Sequence, residues 1–412
     1  MMLPIFAKNL SPEDYGIYET FIVLTTLISI ISRVGVPTAI LRFQSTVNIP
    51  QKKFLAEGIV ILCIGSIIVI PTGILLSLYF NVFSWTEYDI KLLFVMMAMN
   101  IFLATSWEFA KAILQAHNEA IKISIITVVA FLILIIFKSY LILIGGLDVS
   151  ALVYSDIVSN LFLFVISLVI VFSKLEFTFR QSNFNELLGY SIPTTFHRFN
   201  TWVSTYAHSI FIPIYLNASE LGKFAIALKL LLPAVILIEA GQKAFFPLFI
   251  KARDRSATEP EEANRIIRLF FRLGILALIS VLFIAPFLMG LLFDSRYHVD
   301  WIIFLYLIIG MFFNLLYRLL ISEIFYQKLT KKIPLVSLIS GCIVLTISYI
   351  LVPYKGLLGS SISMALGSVS AALIAFLLFR THIKPTLLLI DKLAIFLVGG
   401  VFFCITARIL VI

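Results

Sequence analysis

The sequence predicts an all-α, polytopic membrane protein, and three observations carry that prediction. Of 412 residues, 61% are hydrophobic and only 13% are charged. Soluble domains carry about 25% charged residues, so this chain has too little polar surface to meet water on all sides. Apolar runs of membrane-spanning length recur with hardly a break, and the short stretches between them alternate between basic and acidic.

A spanning helix needs about 20 mostly apolar residues. About twelve windows reach that length: 18–43, 54–80, 90–113, 121–144, 149–172, 187–216, 222–250, 266–293, 301–326, 333–351, 357–379 and 387–410. The longest polar stretch, 250–268, is too short for a water-facing catalytic domain.

One set of loops holds Arg42, Lys52 and Lys53, then Lys111 and Lys122, Lys174 and Arg180, Lys251 to Arg265, Lys328 to Lys332, and Arg380 with Lys384. The other holds Glu13 and Asp14, Glu87 and Asp89, Asp148, Glu220, and Asp294 with Asp300. The positive-inside rule makes the first set cytoplasmic. The formal net charge of +9 is therefore a topology signal rather than a nucleic-acid patch, and no nucleic-acid partner is expected. Both Met1 and Ile412 fall on the outer face in this alternation, so a first span is expected to be missing ahead of Met1.

Cys63, Cys342 and Cys404 all lie within apolar windows. They form neither a disulfide framework nor a metal-ligand pair, so they are read as buried small apolar side chains, with no metal and no cofactor expected. No phosphate-cradling loop, nucleophile elbow or zinc-protease motif occurs. That argues against an enzyme.

An internal repeat organises the windows. Leu10-Ser-Pro-Glu-Asp-Tyr-Gly16 aligns with Leu216-Asn-Ala-Ser-Glu-Leu-Gly222, and the same spacing carries Gly35 onto Gly241. Both copies leave an acidic outer loop and run inward, which predicts two pseudo-symmetric helix-bundle lobes with a site between them. The expected division is residues 1–180 for the first lobe, 181–380 for the second, and 381–412 for an additional helix.

The stretch from Leu3 through Leu10-Ser-Pro-Glu-Asp-Tyr-Gly16 to Tyr18 resembles the opening of polysaccharide-biosynthesis flippases of the multidrug/oligosaccharidyl-lipid/polysaccharide exporter superfamily. Gly35 to Phe43, Tyr190-Ser-Ile-Pro193, and Leu221-Gly222 through Lys229 are similar to later helices of that family. The resemblance implies export of an undecaprenyl-pyrophosphate-linked oligosaccharide (O-antigen or capsule type) across the bacterial plasma membrane by alternating access. Membrane lipids, H⁺ or Na⁺, and glycan-assembly proteins are the partners it implies. The chain departs from the family where a full helix precedes the Leu-Ser-Pro-Glu block. It departs again at His208 and Ser209, which stand where many members carry Asp then Arg.

Charges inside the windows are the candidates for chemistry, since each costs about 2.5–3.5 kcal/mol at mid-helix without a partner or a wet cavity. Basic residues outnumber acidic ones there, which suits an anionic cargo held by Arg and Lys. Arg33, Arg198, Lys229 and Arg318 are the substrate-binding candidates, Arg33 being placed near mid-membrane. Glu239, Lys243, His197 and Asp156 are the ion-coupling candidates. Glu239 and Lys243 have the i, i+4 spacing of a helix ion pair, and Lys138 with Asp156 has the placement of an inter-helix pair. A cation-coupled multidrug antiporter would invert the charge balance. A membrane-embedded glycan polymerase would need a large outer loop with paired carboxylates. These are the two competing readings.

Overall fold

The computed structural model describes residues 3–44, 54–80, 90–174, 181–254, 260–327 and 333–379. The chain is all-helical, with no strand among the described residues, and is a multi-pass membrane protein. Among the described residues, seven helices are long and apolar enough to cross a membrane. It divides into two compact units, Met1–Trp202 and Val203–Ile412. That division point falls inside a helix.

The first unit contains α1 (Leu3–Asn9), α2 (Pro12–Arg33), α3 (Val36–Gln44), α4 (Leu55–Phe80), α5 (Ile90–Ala116), α6 (Ala120–Leu143) and α7 (Val149–Lys174). The start of α8 (Gln181–Tyr215) belongs to it as well. The conspicuous Leu-Ser-Pro-Glu-Asp block is a helix start. Ser11 Oγ accepts from the Asp14 N–H at 3.1 Å, Asp14 Oδ2 accepts from the Ser11 N–H at 3.0 Å, and Pro12 opens the first turn. That is a reciprocal capping box with proline where no N–H is needed. Ser11→Ala is expected to cost about 1 kcal/mol and Ser11→Asp much less, read as thermal midpoints of the purified protein.

Helix α5 is the hub of this unit, packing on α2, α3, α4 and α7. Phe109 and Ile113 of α5 close a core with Ile40 and Phe54, while Trp107 and Leu114 meet Ala130 and Leu163. In contrast, α6 is inside out relative to a soluble helix. Ile121, Ile125, Phe131 and Ile136 are exposed, whereas Lys138 is buried. An apolar rim around a polar interior is what hydrocarbon solvent selects.

The second unit contains the end of α8, then α9 (Ala218–Asp254), α10 (Pro260–Leu292), a 3₁₀ turn (Ser295–Tyr297), α11 (Trp301–Tyr326) and α12 (Ile333–Phe379). At the start of α9, Asn217 Oδ1 accepts from the Glu220 N–H at 2.8 Å. The two copies of the repeat therefore share a side-chain cap at the equivalent residue, Ser11 and Asn217. They differ further on: Gly35 is a chain break, and Gly241 is inside an uninterrupted helix.

Helix α11 is the hub here and packs on α9, α10 and α12. Gly310 lets α11 approach the Ala365 backbone of α12, the small-residue contact that brings membrane helices together. Within α12 the chain reverses at Gly356 (φ 58°, ψ −134°), just after Pro353. Ser348 Oγ donates to Ser363 Oγ at 2.8 Å across the resulting hairpin. The windows 333–351 and 357–379 are its two arms. The window 387–410 and Cys404 lie outside the described residues.

Cys63 and Cys342 are exposed rather than buried. In a bilayer the outside is itself apolar, so a thiol gains nothing by facing inward. The loop before α11 is well capped. Asp294 accepts from the Arg296 N–H at 3.0 Å, and that bond, with the nearby guanidinium, holds its carboxyl below the usual carboxylate range.

Candidate functional site

Among the described residues, charged side chains inside the helices form three locally neutralised pairs between helices, and a further cluster is built differently. In the first unit, Lys138 of α6 lies 3.3 Å from Asp156 of α7. Tyr18 of α2 completes a triad, its hydroxyl donating to Asp156 at 2.8 Å and accepting from Lys138 at 3.1 Å. The ammonium also lies 4.8 Å from the Tyr18 ring centroid, a cation–π contact. The ion pair matches the placement read from the sequence, whereas Tyr18 carried no signal beyond its position in the family-like block.

In the second unit, Arg318 of α11 reaches α9. Its Nη2 donates to Glu239 at 3.2 Å, its Nη1 to Gln242 at 2.5 Å and its Nε to Asn314 at 2.8 Å. The expected Glu239–Lys243 pair is not formed, because Glu239 is turned to this guanidinium instead. A planar fork that meets three acceptors at once outcompetes one flexible ammonium. Lys229 is half-buried on α9 and Lys243 is exposed.

Nearer the end of α9, Arg253 donates to Glu323 from Nε at 3.2 Å and from Nη2 at 2.9 Å. Both side chains are 2% exposed. Gln327 donates to the other carboxylate oxygen at 3.0 Å. Arg253 reads as a loop cation in the sequence because the apolar window ends at residue 250, but α9 continues to Asp254. On α8, the His208 ring packs edge-on to Phe224 of α9 at 5.2 Å. It is buried, with no hydrogen-bond partner on either ring nitrogen among the described residues.

The fourth cluster keeps its positive charge. Helix α2 ends at Arg33, and the chain turns through two left-handed residues, Val34 (φ 45°) and Gly35 (φ 66°), before α3 begins. Arg33 is thus the last residue of its helix rather than a mid-helix charge. A Gly followed by a Pro (here Gly35 and Pro37) is the stop signal that the window count passed over. A helix C-terminus presents unpaired carbonyls and the negative end of the dipole, which favours a cation there.

A Cβ at Gly35 would overlap the Ser191 carbonyl oxygen and Thr194 Oγ1 of α8. The break is therefore seated against the turn of α8 that leads to His197 and Arg198. Arg198 donates from Nη2 to Thr38 Oγ1 at 2.7 Å. The charged neighbours of Arg33 are Glu108 of α5 and Arg198 itself. Glu108 is shared with Lys111, at 3.3 Å, and the Arg33 Nε is buried without a hydrogen-bond partner. Arg33 thus faces one carboxylate, which Lys111 shares, and a second guanidinium, with the His197 imidazole beside Arg198.

Comparison with known proteins gives this arrangement a context. The model of a family described as polysaccharide biosynthesis protein matches residues 5–303. A Haemophilus influenzae protein, Lsg locus putative protein 1, is 26% identical over 195 residues, covering 45% of this chain and 48% of that protein. The chain thus matches about half the length of that curated relative. Among solved structures, an inward-facing multidrug resistance MATE family transporter of the MOP superfamily superposes with a TM-score of 0.75 at 15% identity, over 93% of each chain. The lipid II flippase MurJ, in an inward closed conformation, superposes with a TM-score of 0.70 at 15% identity, over 97% of this chain and 88% of that one. A MOP superfamily transporter from Pyrococcus furiosus, described as having reversed binding-pocket polarity, gives 0.65 at 14% identity over 92% and 90%. At these identities the likeness is one of fold.

Proposed function

The chain belongs to the polysaccharide biosynthesis protein family, and on that premise we propose that it moves an anionic, lipid-linked oligosaccharide across a bacterial plasma membrane by alternating access. The observation that carries this reading is the uncompensated positive cluster at the α2–α3 break. Guanidinium groups present paired donors that match phosphate oxygens, and the Arg33 Nε is a donor with its hydrogen-bonding capacity unused. Arg198, already oriented by Thr38, supplies a second fork. Lys229 of α9 is a separate cation candidate for an anionic cargo. A transporter of organic cations would require the opposite sign at this cluster.

Arg318 has a different role in this reading. Its partner Glu239 neutralises it, so it is available to an anion only when that carboxylate takes up a proton or a sodium ion. The Glu239–Arg318 pair thereby becomes the coupling element. Lys243, His197 and Asp156 are supporting candidates whose charges stand near Glu239, Arg198 and Lys138 in sequence or space. Membrane lipids and glycan-assembly proteins are the partners this activity would bring.

The test is complementation of a strain whose surface glycan depends on this protein. Arg33→Ala combined with Arg198→Ala should lower surface glycan by about tenfold or more, since each charge-assisted hydrogen bond is worth about 1.5–3 kcal/mol. The amount of protein in the membrane should not change. Lysine at both positions should restore part of the export. Full export by the double alanine variant would remove the phosphate-binding role from this cluster.

A further inference from the structure

A cavity of about 370 Å³ lies between α4, α5 and α7 of the first unit. Its volume is in the range of small-molecule sites, about 300–1,000 Å³. Small residues open it: Cys63 and Ser66 on α4, Thr105 on α5 and Ser167 on α7. Phenylalanines wall it, among them Phe102 at 45% and Phe172 at 66% exposure. The hydroxyls add little polarity, because Ser167 Oγ donates to the Leu163 carbonyl of its own helix at 2.6 Å. The cavity is therefore an open, apolar groove on the surface of the unit.

Its position in depth and charge selects an occupant. The groove covers Ile59 to Ser66 near the start of α4 and Phe164 to Phe172 near the end of α7. Both are the helix ends that meet the basic loops. At 1.5 Å per residue, Ile59 to Ser66 lies roughly 6–17 Å from the start of α4, the depth of one leaflet of a hydrocarbon core about 30 Å thick. The groove also adjoins the positive cluster. Thr105 in its lining lies 3.5 Å from Ser32, the residue before Arg33, and Glu108 follows one turn later on α5. An apolar channel for one chain, at the depth of the basic leaflet and next to surplus guanidinium groups, complements an amphiphile with an anionic head.

We infer that this groove seats the polyprenyl chain of the lipid-linked cargo while Arg33 and Arg198 hold its phosphate. The assignment rests on the proposed export function and adds to it a tail-binding site on the outer surface of the first unit. Bulk phospholipid also has an anionic head and apolar chains. The claim is specifically that the polyprenyl chain is preferred.

The test uses the full chain in phospholipid nanodiscs and a diazirine-bearing polyprenyl phosphate, with crosslinked peptides mapped by mass spectrometry. Crosslinks are expected on α4, α5 and α7 around Cys63. Unlabelled undecaprenyl phosphate should compete at least ten times better than phosphatidylglycerol. Cys63→Trp, which fills the groove from an exposed position, should cut that labelling at least tenfold, and Ser66→Leu provides a second, smaller block if the tryptophan variant is poorly made. Equal competition by both lipids would mean annular lipid only and would overturn the assignment, as would labelling confined to other helices. Loss of export in the arginine variants together with unselective labelling would reject the groove and leave the export reading standing.

Discussion

Arg253→Ala is expected to destabilise the second unit by about 3–5 kcal/mol, the cost of stranding one member of a buried ion pair. The reason is geometric. Glu323 receives two bonds from Arg253, and both side chains are almost wholly shielded. Gln327 still donates to the abandoned carboxylate, but one amide cannot replace a guanidinium. Glu323→Ala should cost a similar amount, because it leaves the arginine buried against the Phe249 ring, 5.3 Å from its centroid. Arg253→Met combined with Glu323→Leu removes both charges and keeps the volume, so it should recover most of the loss. Thermal midpoints of the wild type, the two single alanine variants and the double alanine variant by fluorescence-detected gel filtration form the double-mutant cycle. Additive losses in the double variant would mean that the two residues are not coupled.

Gly35→Ala is expected to be strongly damaging to the first unit. Left-handed backbone costs a residue with a Cβ about 1–2 kcal/mol. The new methyl would also press on the Ser191 carbonyl and Thr194, adding about 1–3 kcal/mol of overpacking. Gly146 provides the control. It has φ +60° and nothing within 4 Å of an added Cβ, so Gly146→Ala should show only the backbone part. Equal midpoints for the two variants would contradict the contact between the α2–α3 break and α8. Because Arg33 and Arg198 sit on opposite sides of that contact, export should fall with Gly35→Ala even at temperatures where the protein remains folded.

The helices were legible in the sequence because hydrocarbon solvent imposes one rule on all of them. The first window runs across α2 and α3, and each of the next ten lands on a helix or on one arm of the α12 hairpin. What one-dimensional reading loses is side-chain reach. Glu239 and Lys243 have ideal spacing along α9, yet the stronger partner comes from α11, 79 residues away in sequence. Arg253 looked like a loop charge because amphipathic helices continue beyond their apolar stretch. Lys138 and Asp156 were recoverable since two helices joined by a short turn must be neighbours. At Arg33 the mid-helix setting was misread: hydropathy runs smoothly through Val34 and Gly35, while the backbone does not.

Lys138 has a consequence for how α6 is held. The rest of that helix is greasy around nearly its whole circumference and offers the bilayer no preferred orientation. A single ammonium docked on Asp156 and Tyr18 acts as a key in a slot. Rolling the cylinder, or sliding it by one turn, would thrust an ion into the oil at about 2.5–3.5 kcal/mol. One polar side chain therefore sets both the azimuth and the height of an otherwise featureless rod.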